Sequence, residues 1–153
     1  MEPEHYQAAL EEALAGMREG GLPIGAALFR ASDLLGRGRN LRIQQGDPTA
    51  HAEIQALRSA GTLDHYADTT LYTTLTPCFL CSGAVILFGI PRVVIGQTRS
   101  YPDTEPLEFL RAHGVDLVEL DEPESARLLD DFIGRRRDDW LKDIGRWRPG
   151  ARA

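Results

Sequence analysis

Two short fragments constrain this chain more than anything else in it: Thr49-Ala50-His51-Ala52-Glu53 and Thr76-Pro77-Cys78-Phe79-Leu80-Cys81. The second reads as a helix start. Thr76 is a capping residue, Pro77 suits the first helical position, and Cys78 and Cys81 then lie one turn apart on one face. The first fragment reads the same way, with Asp47 or Thr49 as cap and Ile54 and Leu57 turned inward. A fold that aims both helix starts at one point gathers one imidazole and two thiolates. That donor set suits Zn2+, one per chain, with the fourth position open to water. A closed four-ligand zinc site would need a carboxylate or one of His5, His65 and His113, none of which stands at a ligand-like spacing. A C-x-x-C at a helix start also suits thiol–disulfide exchange. What favours the metal is Glu53. Residues i and i+2 do not share a helix face, so His51 ligates from one side while Glu53 reaches the open position from the other. Taken singly, His51 is an ordinary packed or solvated imidazole, and Glu53 a carboxylate favoured by the dipole of a first helical turn.

The 153 residues suffice for one domain with a real core, and the apolar fraction of 42% with 26% charged residues is that of a globular protein. A formal net charge of -6 argues against non-specific nucleic-acid binding. The one basic run, Arg135-Arg136-Arg137, is flanked by Asp130, Asp131, Asp138 and Asp139. No apolar run reaches membrane-spanning length, and Glu2, Glu4, Glu11 and Glu12 give the N-terminus the wrong sign for a targeting leader. The two cysteines share one C-x-x-C, which builds no disulfide framework. The expectation is a cytoplasmic protein with neither a membrane nor a nucleic-acid partner.

Along the chain, Tyr6, Ala9, Leu10, Ala13, Leu14 and Met17 form one apolar helical face between Pro3 and Arg18, stopped by Gly20-Gly21. Leu22 to Phe29 is a buried strand, paired through a turn at Ser32-Asp33 with Leu34 to Asn40. Gly36 and Gly38 weaken that second strand but permit close backbone approach, and they do not form a phosphate loop. Helices are predicted over Pro48–Ser59, Pro77–Phe88, Glu105–Ala112 and Glu122–Arg136, and strands over Thr69–Thr74, Arg92–Gly96 and Val115–Leu120. The pattern predicts a single domain over 1–153: a three-layer α/β/α sandwich around one mixed five-stranded sheet. A last helical segment covers about 137–145, and the tail 146–153 is expected to fray.

The pattern H-x-E followed by P-C-x-x-C is that of zinc-dependent nucleobase deaminases. Around it stand Glu19-Gly20-Gly21-Leu22-Pro23-Ile24-Gly25, Gly36-Arg37-Gly38-Arg39-Asn40, Asp68-Thr69-Thr70-Leu71-Tyr72-Thr73-Thr74-Leu75, Gly89-Ile90-Pro91-Arg92, and Asp139-Trp140 with Asp143-Ile144-Gly145. With these runs the chain resembles the cytidine deaminase-like superfamily, and within it the fungal-type cytosine deaminases, over about residues 6 to 145. The resemblance implies a homodimer that deaminates free cytosine to uracil. It implies His51, Cys78 and Cys81 as zinc ligands and Glu53 as the carboxylate that carries a proton from water to a ring nitrogen. It implies Asn40 and the backbone of Ala52 at the carbonyl edge of the base, Asp143 on its polar atoms, Trp140 in a closing C-terminal flap, and Ile24 and Tyr101 as walls. Four departures bear on the base: Tyr101 where phenylalanine is usual, Ile43 where an aromatic is usual, Ala52 for glycine, and a proline-rich loop from Pro102 to Pro106. They leave isocytosine, a 5-substituted cytosine or another small aminated heterocycle open as substrates. Further alternatives are an adenosine deaminase acting on RNA, which shares the zinc motif, and a non-catalytic zinc-bound module.

Overall fold

The computed structural model describes residues 2–150. Its elements are α1 (Glu2–Arg18), β1 (Gly25–Arg30), β2 (Asp33–Arg39), α2 (Arg42–Gln45), α3 (Ala52–Ala60), β3 (Thr69–Leu75), α4 (Phe79–Phe88), β4 (Arg92–Gln97), α5 (Glu105–Ala112), β5 (Asp116–Glu119), α6 (Pro123–Arg135) and α7 (Arg137–Asp143). The five strands form one sheet in the order β2-β1-β3-β4-β5. β1 pairs antiparallel with both β2 and β3, while β3, β4 and β5 run parallel. The sheet is therefore mixed and covered on both faces, in a three-layer α/β/α arrangement.

Strand alternation sorts the core into two halves. Ala26, Leu28, Leu71, Val93 and Ile95 face Ala52 and Ala56 of α3, Val85 of α4, and Leu107 and Leu110 of α5. Their neighbours Ala27, Phe29, Tyr72 and Val94 face Tyr6, Ala9 and Leu10 of α1 and Leu128 of α6. Helices rest on the sheet where glycine leaves out a side chain. A Cβ on Gly25 would lie 2.0 Å from the Ala9 carbonyl oxygen, so α1 rests directly on β1. A Cβ on Gly38 would lie 2.4 Å from Gln55 Cβ and 2.6 Å from the Ala56 nitrogen, so α3 rests directly on β2. The close approach expected of Gly36 and Gly38 is thus what seats the helix that carries the motif.

Several local expectations are corrected. The helix-one face closes on Glu12 rather than Met17: Glu12 is buried between Arg37 Nε at 2.5 Å and Arg39 Nη1 at 2.7 Å, whereas Met17 is exposed. Leu22 to Ile24 are buried but precede the ladder, because Pro23 has no N–H to give it. Residues 42–45 form a short helix that has too few residues to show a period. The tail does not fray directly after the last helix. The Arg146 and Trp147 nitrogens donate to the Leu141 carbonyl at 2.7 and 3.0 Å, Arg146 pairs with Asp103, and Lys142 Nζ lies 5.1 Å from the Trp147 ring centre. Residues 151–153 of that expectation lie outside the described residues. Among the described residues no helix is long and apolar enough to cross a membrane.

Candidate active site

The parallel half of the sheet sets the location. The chain leaves the carboxyl end of β3 straight into Thr76-Pro77-Cys78, and that of β4 towards Tyr101, the side of an open α/β sheet where ligands bind. The N-terminus of α3 arrives at the same place. Both helices are where expected but begin later, at Ala52 rather than Pro48 and at Phe79 rather than Pro77, and their caps differ. His51 and Cys78 are themselves the N-cap residues, in extended backbone and without a side-chain capping bond. Asp47 instead accepts from the Thr49 N–H and hydroxyl within the preceding loop. An N-cap residue has non-helical φ and ψ, which turns its side chain off the helix end; here both turn to a common point. Ile54 and Leu57 are only partly buried, and Ala52, Glu53 and Ala56 form the inner face of α3.

His51 Nδ1 lies 3.4 Å from Cys78 Sγ and 3.7 Å from Cys81 Sγ. Zn–S and Zn–N bonds at tetrahedral angles require a nitrogen–sulfur separation of about 3.6 Å, so one imidazole and two sulfurs fit that ion as they stand. All three ligand atoms lie within 4.8 Å of one another. The other imidazole nitrogen, Nε2, is 3.5 Å from Asp143 Oδ1, the carboxylate–histidine arrangement that fixes which nitrogen faces a metal.

Glu53 is buried beside this set. Its Oε2 accepts from the Cys81 thiol at 2.9 Å and its Oε1 from the Thr73 hydroxyl at 2.7 Å. Burial raises the Glu53 pKa, helped by the charge of Cys78, against the bonds from Cys81 and Thr73. The Cys81 thiol pulls Cys78 down to about 4, with His51 assisting against burial. Burial pushes Cys81 up. For His51 burial works downward, but its bond to Cys78 and the charges of Asp143, Cys78 and Glu53 outweigh it and lift the group to about 9. These shifts favour the thiolate at Cys78, the form a metal binds, and metal binding at the three residues would release protons.

Around the cluster, the Asn40 amide donates to Asp143 Oδ1 at 2.9 Å and its carbonyl accepts from the Arg42 N–H at 3.0 Å. Burial raises Asp143, partly offset by His51 and Asn40. Ile24, Asn40, Ala52, Glu53, Tyr101 and Asp143 line one small chamber of about 20 Å³, room for about one water. It adjoins an outer cleft of about 340 Å³, and the two share His51, Cys78, Tyr101, Asp143 and Ile144. Of the residues expected at the substrate, only Trp140 does not line the chamber. Its indole is buried in the core cluster with Leu22 and Ile24 and meets Tyr101 edge-on at 6.5 Å, because a ring that size fills the space beneath α7. Burial raises the Tyr101 phenol to about 12, and it stays neutral. Two residues of the site escaped the sequence reading. Thr73 looked like one more β-former in a threonine-rich strand, and Thr76, which also lines the chamber, looked like a helix cap.

Residues 2–97 match the family model described as the cytidine and deoxycytidylate deaminase zinc-binding region. The chain is 42% identical over 142 residues to a cytosine deaminase of Candida albicans, covering 91% of this chain and 93% of that protein. It is 39% identical over 140 residues to a tRNA-specific adenosine deaminase of Buchnera aphidicola subsp. Schizaphis graminum, covering 84% and 91%. A structure from a study of A-to-I editing by tRNA deaminases at the wobble position superposes with a TM-score of 0.73 at 30% identity, over 83% of this chain and 99% of the other. A metal-ready His-Cys-Cys set, the sheet that presents it and these likenesses agree: the chain belongs to the cytidine and deoxycytidylate deaminase family of zinc enzymes.

Proposed function

We propose that the protein hydrolyses the exocyclic amine of a free nucleobase, converting cytosine to uracil with release of ammonia. The observation that carries this reading is the chamber itself, which sets Glu53 and the hydrogen-bonded Asn40–Asp143 pair around the metal-binding residues. His51, Cys78 and Cys81 would hold the zinc. When bound, zinc supplies Lewis acidity that brings the pKa of water towards about 7.

Glu53 takes the proton from the attacking water and delivers it to a ring nitrogen, the work of a buried carboxyl whose pKa burial raises. The remaining proton of that water then passes through Glu53 from the new hydroxyl to the amine, the carbon–nitrogen bond breaks, and the carbonyl forms as ammonia leaves. Asn40 is suited to the carbonyl edge of the base, since its amide has two N–H donors and Asp143 uses one. The Ala52 N–H lies in the first turn of α3, where a helix leaves its donors unpaired, and suits the same carbonyl. Asp143 has Oδ2 free for a ring N–H. Ile24 and Tyr101 confine the ring, with Trp140 supporting Tyr101 from behind. A chamber of about 20 Å³ admits no base as it stands, so α7 acts as a flap whose displacement carries Asp143 and Ile144 aside.

The likeness to tRNA-specific adenosine deaminases favours a second reading, deamination of adenosine in RNA. The net charge of -6 weighs for the free base. The protein assembles as a homodimer through α4, whose Phe79, Leu80, Leu87 and Phe88 are exposed, Leu87 at 77%, beside an apolar groove formed by Ile54, Leu57, Leu63 and Tyr66. Ammonia release is measured on zinc-loaded protein with cytosine, isocytosine, cytidine and an adenosine-containing tRNA stem-loop. Turnover of cytosine with little of the nucleoside is expected. Activity on the stem-loop and silence on cytosine would overturn the reading. Sedimentation of wild type and Leu87→Glu checks the dimer, with dissociation expected in the variant.

A further inference from the structure

Thr76 is buried, at 3% exposure, and its Oγ1 has no hydrogen-bond partner among the described residues. Thr73 Oγ1 and Thr69 Oγ1, both on the preceding strand, are bonded. A buried hydroxyl without a partner is unfavourable, and most buried polar groups in folded proteins are paired. Its expected use was as a helix cap, but α4 begins after Cys78 and takes no side-chain cap. The backbone of Thr76 is fixed instead by its own N–H, which donates to the Gln97 carbonyl at 3.2 Å. The residue lines the chamber beside Leu75, Glu53 and Cys78.

We infer that the Thr76 hydroxyl is a substrate contact, left unpaired by the fold so that it can bond the amine of the base. This rests on the deaminase reading above. The reacting carbon must sit between Glu53 and the metal ligands, and Thr76 precedes the ligand Cys78 by two residues, so the group nearest its hydroxyl is the amine on that carbon. A hydroxyl both accepts and donates. It accepts an N–H from the amine of the bound base and can donate to the nitrogen lone pair once the amine has left. The alternative use of the same atom is internal: Gln97 Nε2 is also buried and unpaired, and β3 and β4 pair Leu75 with Gln97.

The two uses give opposite signatures in Thr76→Val, which keeps the shape and removes the hydroxyl, with Thr76→Ser as the conservative control. If the hydroxyl serves the substrate, the substrate-free, zinc-loaded valine variant unfolds at the wild-type Tm or above it. Its kcat/KM on the base the wild type turns over falls about 3- to 10-fold, and serine restores it. Stabilisation of the fold by the same base, read as a Tm increase, falls in parallel and carries the comparison independently of turnover. A lowered Tm without substrate, or full kcat/KM and undiminished stabilisation by the base, would overturn the inference. Failure of the deaminase reading is separate, since it shows in the wild type as silence on cytosine.

Discussion

Replacing Gly38 by alanine tests the claim that backbone contact between β2 and α3 seats the Glu53 carboxylate. The added Cβ would lie 2.4 Å from Gln55 Cβ and 2.6 Å from the Ala56 nitrogen. Carbon atoms rest about 3.5–4.0 Å apart, so α3 has to retreat by about 1 Å. The opposing atoms are backbone or the root of a side chain, and no rotamer change relieves the overlap. Overpacking of this kind costs about 1–3 kcal/mol, and each kcal/mol lowers Tm by about 2–4 °C at this chain length. The functional penalty is larger than the stability suggests. His51 and Glu53 ride at the start of α3, and misplacement by about 1 Å can cost about 10² in rate. Gly36→Ala is the control, since its Cβ would strike the Ala56 oxygen and Ala60 nitrogen at 2.4 Å, towards the far end of the helix. Both variants should lose several degrees in a thermal melt of zinc-loaded protein, and Gly38→Ala should lose more kcat/KM. Wild-type Tm and kcat/KM in Gly38→Ala, or a greater kinetic loss in Gly36→Ala, would refute the reasoning.

Glu53→Gln should retain one zinc per chain by metal analysis and lose nearly all ammonia release, because an amide cannot carry the proton. Thr73→Val removes the 2.7 Å bond to Glu53 Oε1 and should lower kcat by about 10-fold with little change in KM, as measured by steady-state kinetics. Glu122→Ala removes the side chain that accepts from the Glu124 and Ser125 N–H groups at the start of α6, at 2.8 and 2.9 Å, and should cost about 1 kcal/mol at pH 7. Burial works to raise the Glu122 pKa, but those N–H bonds win and hold it below 4.5. A carboxyl with a depressed folded pKa stabilises above its unfolded pKa and ceases to as pH falls through the folded one. The Tm gap between wild type and Glu122→Ala should therefore close on acidification below about pH 4.5, as followed by melts across pH.

The metal set was legible because its chemistry admits few residue types and the helix starts fix their spacing. The mixed five-stranded sheet and its first hairpin were legible from the alternation of strands and helices, and the strand order was not. What failed to show was where hydrogen-bonding capacity goes. Thr76 and Asp47 are good caps by type, yet the caps here are His51 and Cys78, since turning a ligand off a helix end outranks satisfying an N–H. Thr73 and Thr76 had no distinguishing signal within a threonine-rich strand, because burial and partner are properties of the assembled sheet. The resemblance places Trp140 in a closing flap, and only the assembled fold shows its ring packed in the core behind Tyr101. Tail residues Arg146 and Trp147 are anchored by Leu141, Asp103 and Lys142, contacts that no local composition announces.

One carboxylate at the end of α7 closes the chamber, holds the Asn40 amide at 2.9 Å and lies 3.5 Å from His51 Nε2. If α7 swings aside to admit a base, as proposed, both contacts break together. The door and the safety catch are one part: while it is open, the imidazole loses the partner that orients it, and the site is disarmed until it shuts on its cargo. On that reading a chelator would strip the metal faster from the base-free protein than from the base-bound one, and a bound base would guard the metal as well as the pocket.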